Sequence, residues 1–318
     1  MASKSGSSRR KSFTKGSHKD YEDRNVSRAG KKPLPEPTHL GHFVLMVVLK
    51  VCRSVLFVDT SVKIGIYLIG VMAGSVICDL FVVPKSYLSD KQNFLNQYFV
   101  KLGWGWTLTL LVSYVCLSSL VYCSGNWAAV RRHIMRMAIA SVEWYVCVTA
   151  FRHIETTVGM CTSSQHLDRN TCIDSGSGWL GFDISGHVFL LIHNLLTISE
   201  EVKTFKEWRK LGELLEDEDL PNKRKVTNDD IKQAQSLYKG LTPYIKATFI
   251  VLALLTVLWE FMLLVSVVYR FHTLTQKVTA AFVAVFCWFL NYRVLYRLNS
   301  EWFPAYPGES SFNFLKSS

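Results

Sequence analysis

The chain has 318 residues, of which 49% are hydrophobic and 19% are charged. These totals would suit a soluble domain, but the apolar residues collect in runs of the length that crosses a bilayer as a helix, about 20 residues. The net charge of +11 comes from basic residues that flank these runs, which is typical of membrane topology and contact with anionic lipid rather than of nucleic-acid binding. The sequence therefore predicts an all-α integral membrane protein.

The N-terminal part divides into two segments. Residues 1–40 contain ten Lys and Arg with few apolar positions, so they bury too little surface to fold and are predicted to be a disordered, basic cytosolic tail. Residues 41–60 are apolar but include Lys50 and Arg53, whose long side chains can snorkel to the membrane surface. This pattern predicts an interfacial helix, and the alternative is a segment that dips into the bilayer.

A six-span membrane domain is predicted over residues 61–300. Basic residues in the tail and at Arg131, Arg132 and Arg136 indicate the cytosolic side, which then also holds the loop 204–244 and a C-terminal tail, 301–318. The loops 84–98, 155–183 and 270–276 are expected to face the lumen. The predicted spanning helices are 62–83, 99–123, 134–154, 184–203, 245–269 and 277–298.

Cys161 and Cys172 share one short polar loop on the predicted luminal side. Because that compartment is oxidising, the pair is predicted to form a disulfide that contributes roughly 2–3 kcal/mol by restricting the unfolded chain. Two free thiols are the alternative.

The fourth span opens with a run that contains Asp183, Ser185, Gly186 and His187. Small residues at a helix start leave backbone N–H groups that can bind an anion, and His187 would stand beside that site. The alternative is a plain helix cap by Asp183 or Ser185, with His187 at the interface.

A second histidine, His272, follows the fifth span and is predicted to lie on the same side of the membrane. Two such histidines can serve as acid and nucleophile in cleavage at phosphorus. The alternative is that His272 is a solvated loop residue.

Other charged residues have two possible roles each. Lys91 could neutralise a phosphate or simply be surface charge. Glu143 and Glu260 fall within spans and are expected to pair inside the bundle or to orient a histidine. The sequence predicts no metal site and no cofactor.

Three segments resemble the fat storage-inducing transmembrane protein family. They are SYLSDKQNFLNQYFVKLGWGWT (86–107), FDISGHVFLLIHNLLTISEEV (182–202) and FHTLTQKV (271–278), and the loop with paired cysteines resembles the family too. The resemblance extends from about residue 60 to 300. It implies an endoplasmic-reticulum protein with six spans, cytosolic termini and a helical bundle like that of the type 2 phosphatidic-acid phosphatases.

The resemblance also implies an activity, the luminal cleavage of fatty acyl-CoA into acyl 4'-phosphopantetheine and adenosine 3',5'-bisphosphate in support of lipid-droplet formation. By motif, His187 matches the general acid and His272 the nucleophile. Gln276 stands where the wider superfamily has an aspartate, and Ser266 where it has an arginine. The Lys…Arg-Pro element of the wider superfamily is missing from this sequence, and Lys91 is its best substitute. The candidate phosphate contacts are Lys91, Ser185, Gly186 and Gln276.

These departures from the phosphatase pattern motivate a second hypothesis. Under this hypothesis the chain binds the neutral lipids triacylglycerol or diacylglycerol and promotes droplet budding without catalysing a reaction. A transporter is less favoured, because no matched inverted repeat with interrupted helices is visible in the sequence.

Overall fold

The computed structural model describes residues 40–81, 84, 86–90, 92–163, 168–223, 226–269, 271–298 and 302–315. The predicted disordered tail, up to residue 39, and Lys91 lie outside the described residues. The described chain is helical, with one short two-stranded ribbon. Its elements are α1 Leu40–Leu56, α2 Thr60–Leu80, α3 Gly103–Tyr122, α4 Trp127–Val158, β1 Met160–Cys161, α5 Arg169–Asp174, β2 Trp179–Leu180, α6 Gly186–Glu201, α7 Trp208–Leu215, α8 Leu220–Lys223, α9 Asn228–Val268 and α10 Leu274–Phe289.

Among the described residues, five helices are long and apolar enough to cross a membrane: α2, α3, α4, α9, and α10 with its continuation to Arg297. They correspond to five of the six predicted spans, with different ends. The predicted span 134–154, for example, is the longer helix α4, and α9 begins well before the predicted residue 245. The helix α1 overlaps the predicted interfacial segment, and its depth in the membrane stays a prediction.

The remaining predicted span is α6, whose 16 residues fall short of the length that a lipid-exposed span needs. It nevertheless reaches both ends of the bundle. At its start, the backbone N–H of Ser185 donates to the Gln276 carbonyl at the beginning of α10. At its end, Glu201 accepts a bond of 2.8 Å from the Tyr292 hydroxyl, just after α10. Side chains 188–201 are all buried, so α6 is the central helix and lipid does not set its length.

Local signals in the sequence start the other helices. Side chains of Asp59, Asn126 and Thr227 accept backbone N–H bonds and cap α2, α4 and α9. Between α3 and α4 the chain turns within four residues, where Ser124 and Gly125 take positive φ angles of 51° and 71°. This tight turn makes α3 and α4 antiparallel neighbours.

The predicted cytosolic loop 204–244 is largely helical, since it contains α7, α8 and the first part of α9. The Trp208 ring stacks on Tyr238 of α9, with centroids 5.5 Å apart, and its indole N–H donates to Thr242. Pro243 follows directly, inside the 41-residue α9. Proline removes one backbone donor from the helix at the point where the apolar part of α9 begins.

Acidic residues within the spans are paired inside the bundle, which was one of the two alternatives. Glu143 accepts a bond of 2.7 Å from Asn291, and Glu260 accepts one of 2.9 Å from the Tyr67 hydroxyl. Because a hydrogen bond lowers the cost of a polar group in a low-dielectric interior, each pair explains how its carboxyl group is accommodated.

A buried ion pair closes the end of the bundle opposite the start of α6. Arg136 donates two bonds to the Glu201 carboxylate, at 2.8 and 2.6 Å, and both side chains are fully buried. Arg136 also donates to the Ala305 carbonyl, and Phe312 and Phe314 are buried beside this end. The described part of the C-terminal tail, 302–315, is therefore folded onto the bundle.

Candidate active site

The two histidines predicted to be catalytic lie at the same end of the bundle. His187 is in the first turn of α6, and His272 lies in the short segment before α10. The bond from the Ser185 N–H to the Gln276 carbonyl, 3.4 Å, joins the two helix starts. Residues from distant parts of the sequence thus meet at one end of the structure.

The His187 ring is held by the loop that precedes α3, in which Leu95–Val100 form a short π-helix. Its Nε2 lies 2.8 Å from Oδ1 of Asn96, and the backbone N–H of Asn96 donates to Oδ1 of Asn93 at 2.8 Å. Asn93 is itself buried and donates to the Asp90 carbonyl at 2.6 Å. The loop therefore fixes the orientation of the His187 ring. No role was predicted for Asn96, and its place in the 86–107 segment was the one sequence signal that could have indicated it.

The His272 ring is held by the residues that precede α6. Its Nδ1 lies 3.1 Å from the Asp183 backbone carbonyl and 3.6 Å from Oδ2 of the same residue. A carbonyl oxygen accepts, so Nδ1 carries the proton and the lone pair of the neutral ring is at Nε2. Nucleophilic attack needs that lone pair. Asp183 thus orients the His272 ring, whereas the Gln276 side chain caps α10.

Ser185 and Gln276 serve as helix caps. Ser185 is buried and its hydroxyl accepts from the Val188 N–H, which agrees with the cap alternative. Gln276 forms a capping box with Thr273: its Oε1 accepts from the Thr273 N–H at 2.9 Å. Gly186 is exposed, and a Cβ built on it would meet no atom within 4 Å. Phosphate contacts by these three residues stay predictions.

Cys161 and Cys172 form a disulfide in the loop between α4 and α6. The same loop contains an antiparallel ribbon in which Met160 pairs with Leu180. Cys172 is fully buried, so the bond anchors α5 against the ribbon. This anchoring fixes the loop beside the start of α6.

A polar cavity of about 820 Å³ lies between the end of α4, the disulfide loop and the start of α6. Its lining includes Arg152, the ion pair of Arg169 with Glu155 (2.9 Å), Asp168 and Asp183. Hydrogen bonds from the hydroxyl and backbone N–H of Thr171 hold the pKa of Asp168 below its ordinary value. The cavity therefore offers charged groups of both signs next to Gly186.

The fold and the site together define a class: a multi-pass helical membrane protein with a histidine pair at one end of its bundle. The family model for "Fat storage-inducing transmembrane protein" matches residues 84–292, which include both histidines, the disulfide and all of α6. The chain belongs to the fat storage-inducing transmembrane protein family.

Several curated proteins are similar to this chain over most of its length, and each is named "Acyl-coenzyme A diphosphatase FITM2". The Drosophila melanogaster protein is 33% identical over 90% of this chain and 70% of its own length. The Mus musculus and Homo sapiens proteins are 34% and 33% identical, each over 71% of this chain and 79% of their own length. No solved structure matches the chain.

Proposed function

We propose that this protein is a fatty acyl-CoA diphosphatase whose reaction takes place at His187 and His272. The observation that carries the proposal is that both rings lie at one end of the bundle, each held by a partner from another segment, Asn96 or Asp183. The name shared by the relatives supports acyl-CoA as the substrate.

In the proposed reaction, His272 is the nucleophile and His187 is the general acid. Nε2 of His272 attacks one phosphorus of the diphosphate, and the bond from that phosphorus to the bridging oxygen breaks. His187 donates a proton to the leaving oxygen. Water then attacks the phosphohistidine, gives its proton to His187 and releases the second product. The sum is acyl-CoA plus water giving acyl 4'-phosphopantetheine and adenosine 3',5'-bisphosphate, whichever phosphorus is attacked.

A purified preparation tests the activity. Wild-type protein in detergent is expected to release adenosine 3',5'-bisphosphate from oleoyl-CoA, and His187→Ala is expected to lower kcat by roughly 10²- to 10⁴-fold through loss of the general acid. Product release is measured by chromatography.

The matched control is His153→Ala, which removes an exposed histidine of α4 at the same end of the bundle. It should turn over at the wild-type rate. Equal turnover by His187→Ala and His153→Ala would reject the acid role of His187.

We further propose that the site faces the lumen of the endoplasmic reticulum, with both termini cytosolic. Two features support this orientation. Arg131 and Arg132 lie at the start of α4, at the end of the bundle opposite the histidines, and basic flanks favour the cytosol. The disulfide lies at the end that holds the site, and disulfides persist in oxidising compartments.

Glycosylation mapping tests the orientation. An Asn-X-Thr acceptor inserted at residue 175 is expected to be glycosylated in cells, whereas one inserted at residue 217, between α7 and α8, is expected to stay unmodified. The natural Asn25-Val26-Ser27 acceptor in the tail provides an internal control, since a cytosolic tail is never modified. Modification at 217 and not at 175 would reverse the proposed orientation.

The alternative function, binding of neutral lipid without catalysis, makes a different prediction for the same variant. If the protein only binds lipid, its His187→Ala variant should still restore the number of lipid droplets in cells that lack the protein. The contact between Nδ1 of His272 and the Asp183 carbonyl supports catalysis, because it leaves the Nε2 lone pair of the ring for attack on phosphorus.

A further inference from the structure

An apolar groove of about 680 Å³ runs between α2 and α10. Its walls are aliphatic side chains, Met72 and one alanine, together with Thr275 and Thr279, and none of the described residues that line it is charged. The α2 residues that line it fall between Ile69 and Ile77 on one helix face. They span nine residues, whose eight steps cover about 12 Å at the rise of an α-helix.

The groove begins at the site. Leu274 and Thr275, which line one end of it, lie in the first turn of α10 between His272 and Gln276. The helix α2 ends at the same end of the bundle, since Gly74 packs closely on Val267 near the end of α9. The groove therefore extends from the neighbourhood of His272 toward the middle of the bundle, along a surface where Ile69 and Ile77 are exposed.

We propose that this groove holds the acyl chain of the substrate, with the flexible pantetheine arm linking the chain to the diphosphate at His272. The inference rests on the proposed function and specifies how its substrate is positioned. Two cavities in the described part of the chain lie near the histidines and differ in lining. The one beside Gly186 contains charges of both signs, and the one beside Leu274 is apolar, which suits the acyl half of the substrate.

The groove acts by position rather than by hydrophobic transfer. A bilayer is as apolar as the groove wall, so moving an acyl chain from lipid into the groove gains little free energy. A chain held in the groove does fix where the headgroup lies relative to the histidines, and such positioning raises the rate of reaction. Short acyl chains that cannot reach into the groove lose this advantage.

A groove-filling variant tests the proposal. Ala73→Phe is expected to lower kcat/KM for oleoyl-CoA about tenfold or more and to leave acetyl-CoA turnover unchanged, so the preference for long chains collapses. The control is the same substitution at Ala150→Phe, an exposed alanine of α4 that lines neither cavity. If Ala73→Phe retains the wild-type preference for oleoyl-CoA, the proposal is overturned while the proposed function stands.

Photolabelling provides a readout that does not depend on turnover. An oleoyl-CoA analogue with a diazirine in its acyl chain is expected to label peptides of α2 and α10, and unlabelled oleoyl-CoA should compete. Labelling confined to other helices overturns the groove proposal. A diazirine phosphatidylcholine that labels the groove and is not displaced by oleoyl-CoA also overturns it, because the groove is then an ordinary lipid contact. Competed groove labelling without any hydrolysis retains the groove and rejects the proposed function.

Discussion

Replacing His272 with alanine is expected to abolish turnover of oleoyl-CoA, with kcat lowered on the order of 10⁴-fold or more. Removing a nucleophile eliminates the covalent route and leaves only the contribution of binding and of the remaining groups. In the wild-type protein, rapid quenching followed by mass spectrometry should find a phosphorus-linked adduct on the peptide that contains residue 272. The adduct should be missing from His272→Ala.

The adduct also identifies the phosphorus that is attacked, because its mass includes either the nucleotide or the acyl pantetheine half.

Asp183→Asn tests a smaller change, in which His272 is kept and one of its contacts is altered. The backbone carbonyl at 3.1 Å still accepts from Nδ1, and only the carboxylate at 3.6 Å changes, so kcat should fall about tenfold with KM unchanged. Wild-type levels of adduct in His272→Ala would assign the nucleophile to another residue.

Replacing Arg136 with methionine is expected to destabilise the bundle by about 3–5 kcal/mol, since it leaves the fully buried Glu201 carboxylate without its counter-charge. The same change removes the bond to the Ala305 carbonyl, so residues 302–315 should become sensitive to protease. Unfolding in detergent, followed by intrinsic tryptophan fluorescence, measures the stability.

Two comparisons make this prediction specific. Arg209→Met breaks an exposed i,i+4 pair with Glu213 and should change the unfolding midpoint little. The double variant Arg136→Met with Glu201→Gln should recover part of the stability, because no unpaired charge remains buried. Equal midpoints for Arg136→Met and Arg209→Met would show that the buried pair contributes no more than a surface pair.

Much of the fold follows from local features of the sequence. The thickness of the bilayer sets the length of an apolar run, so α2, α3, α4, α9 and α10 could be located from composition alone. Helix α6 fits this rule least well. It is enclosed by other helices, so packing rather than lipid determines its length, and hydropathy gives no measure of packing.

His187 and His272 were predictable as candidate residues, through short motifs and the family resemblance. The partners of these residues were not. Asn96 lies 91 residues before His187, and Asp183 lies 89 residues before His272. No local pattern joins residues so far apart. Asp183 was considered only as a helix cap, because cap preferences are local and its contact with His272 is not.

Run length, charge placement and short motifs were enough to predict a multi-pass membrane protein, its family and the histidines that could react. Four features emerged from the folded chain alone. They are the orientation of the histidine rings, the central place of α6, the Arg136–Glu201 pair at the far end and the apolar groove beside His272. Each of these depends on which helix faces meet, and the packing of distant segments fixes that choice.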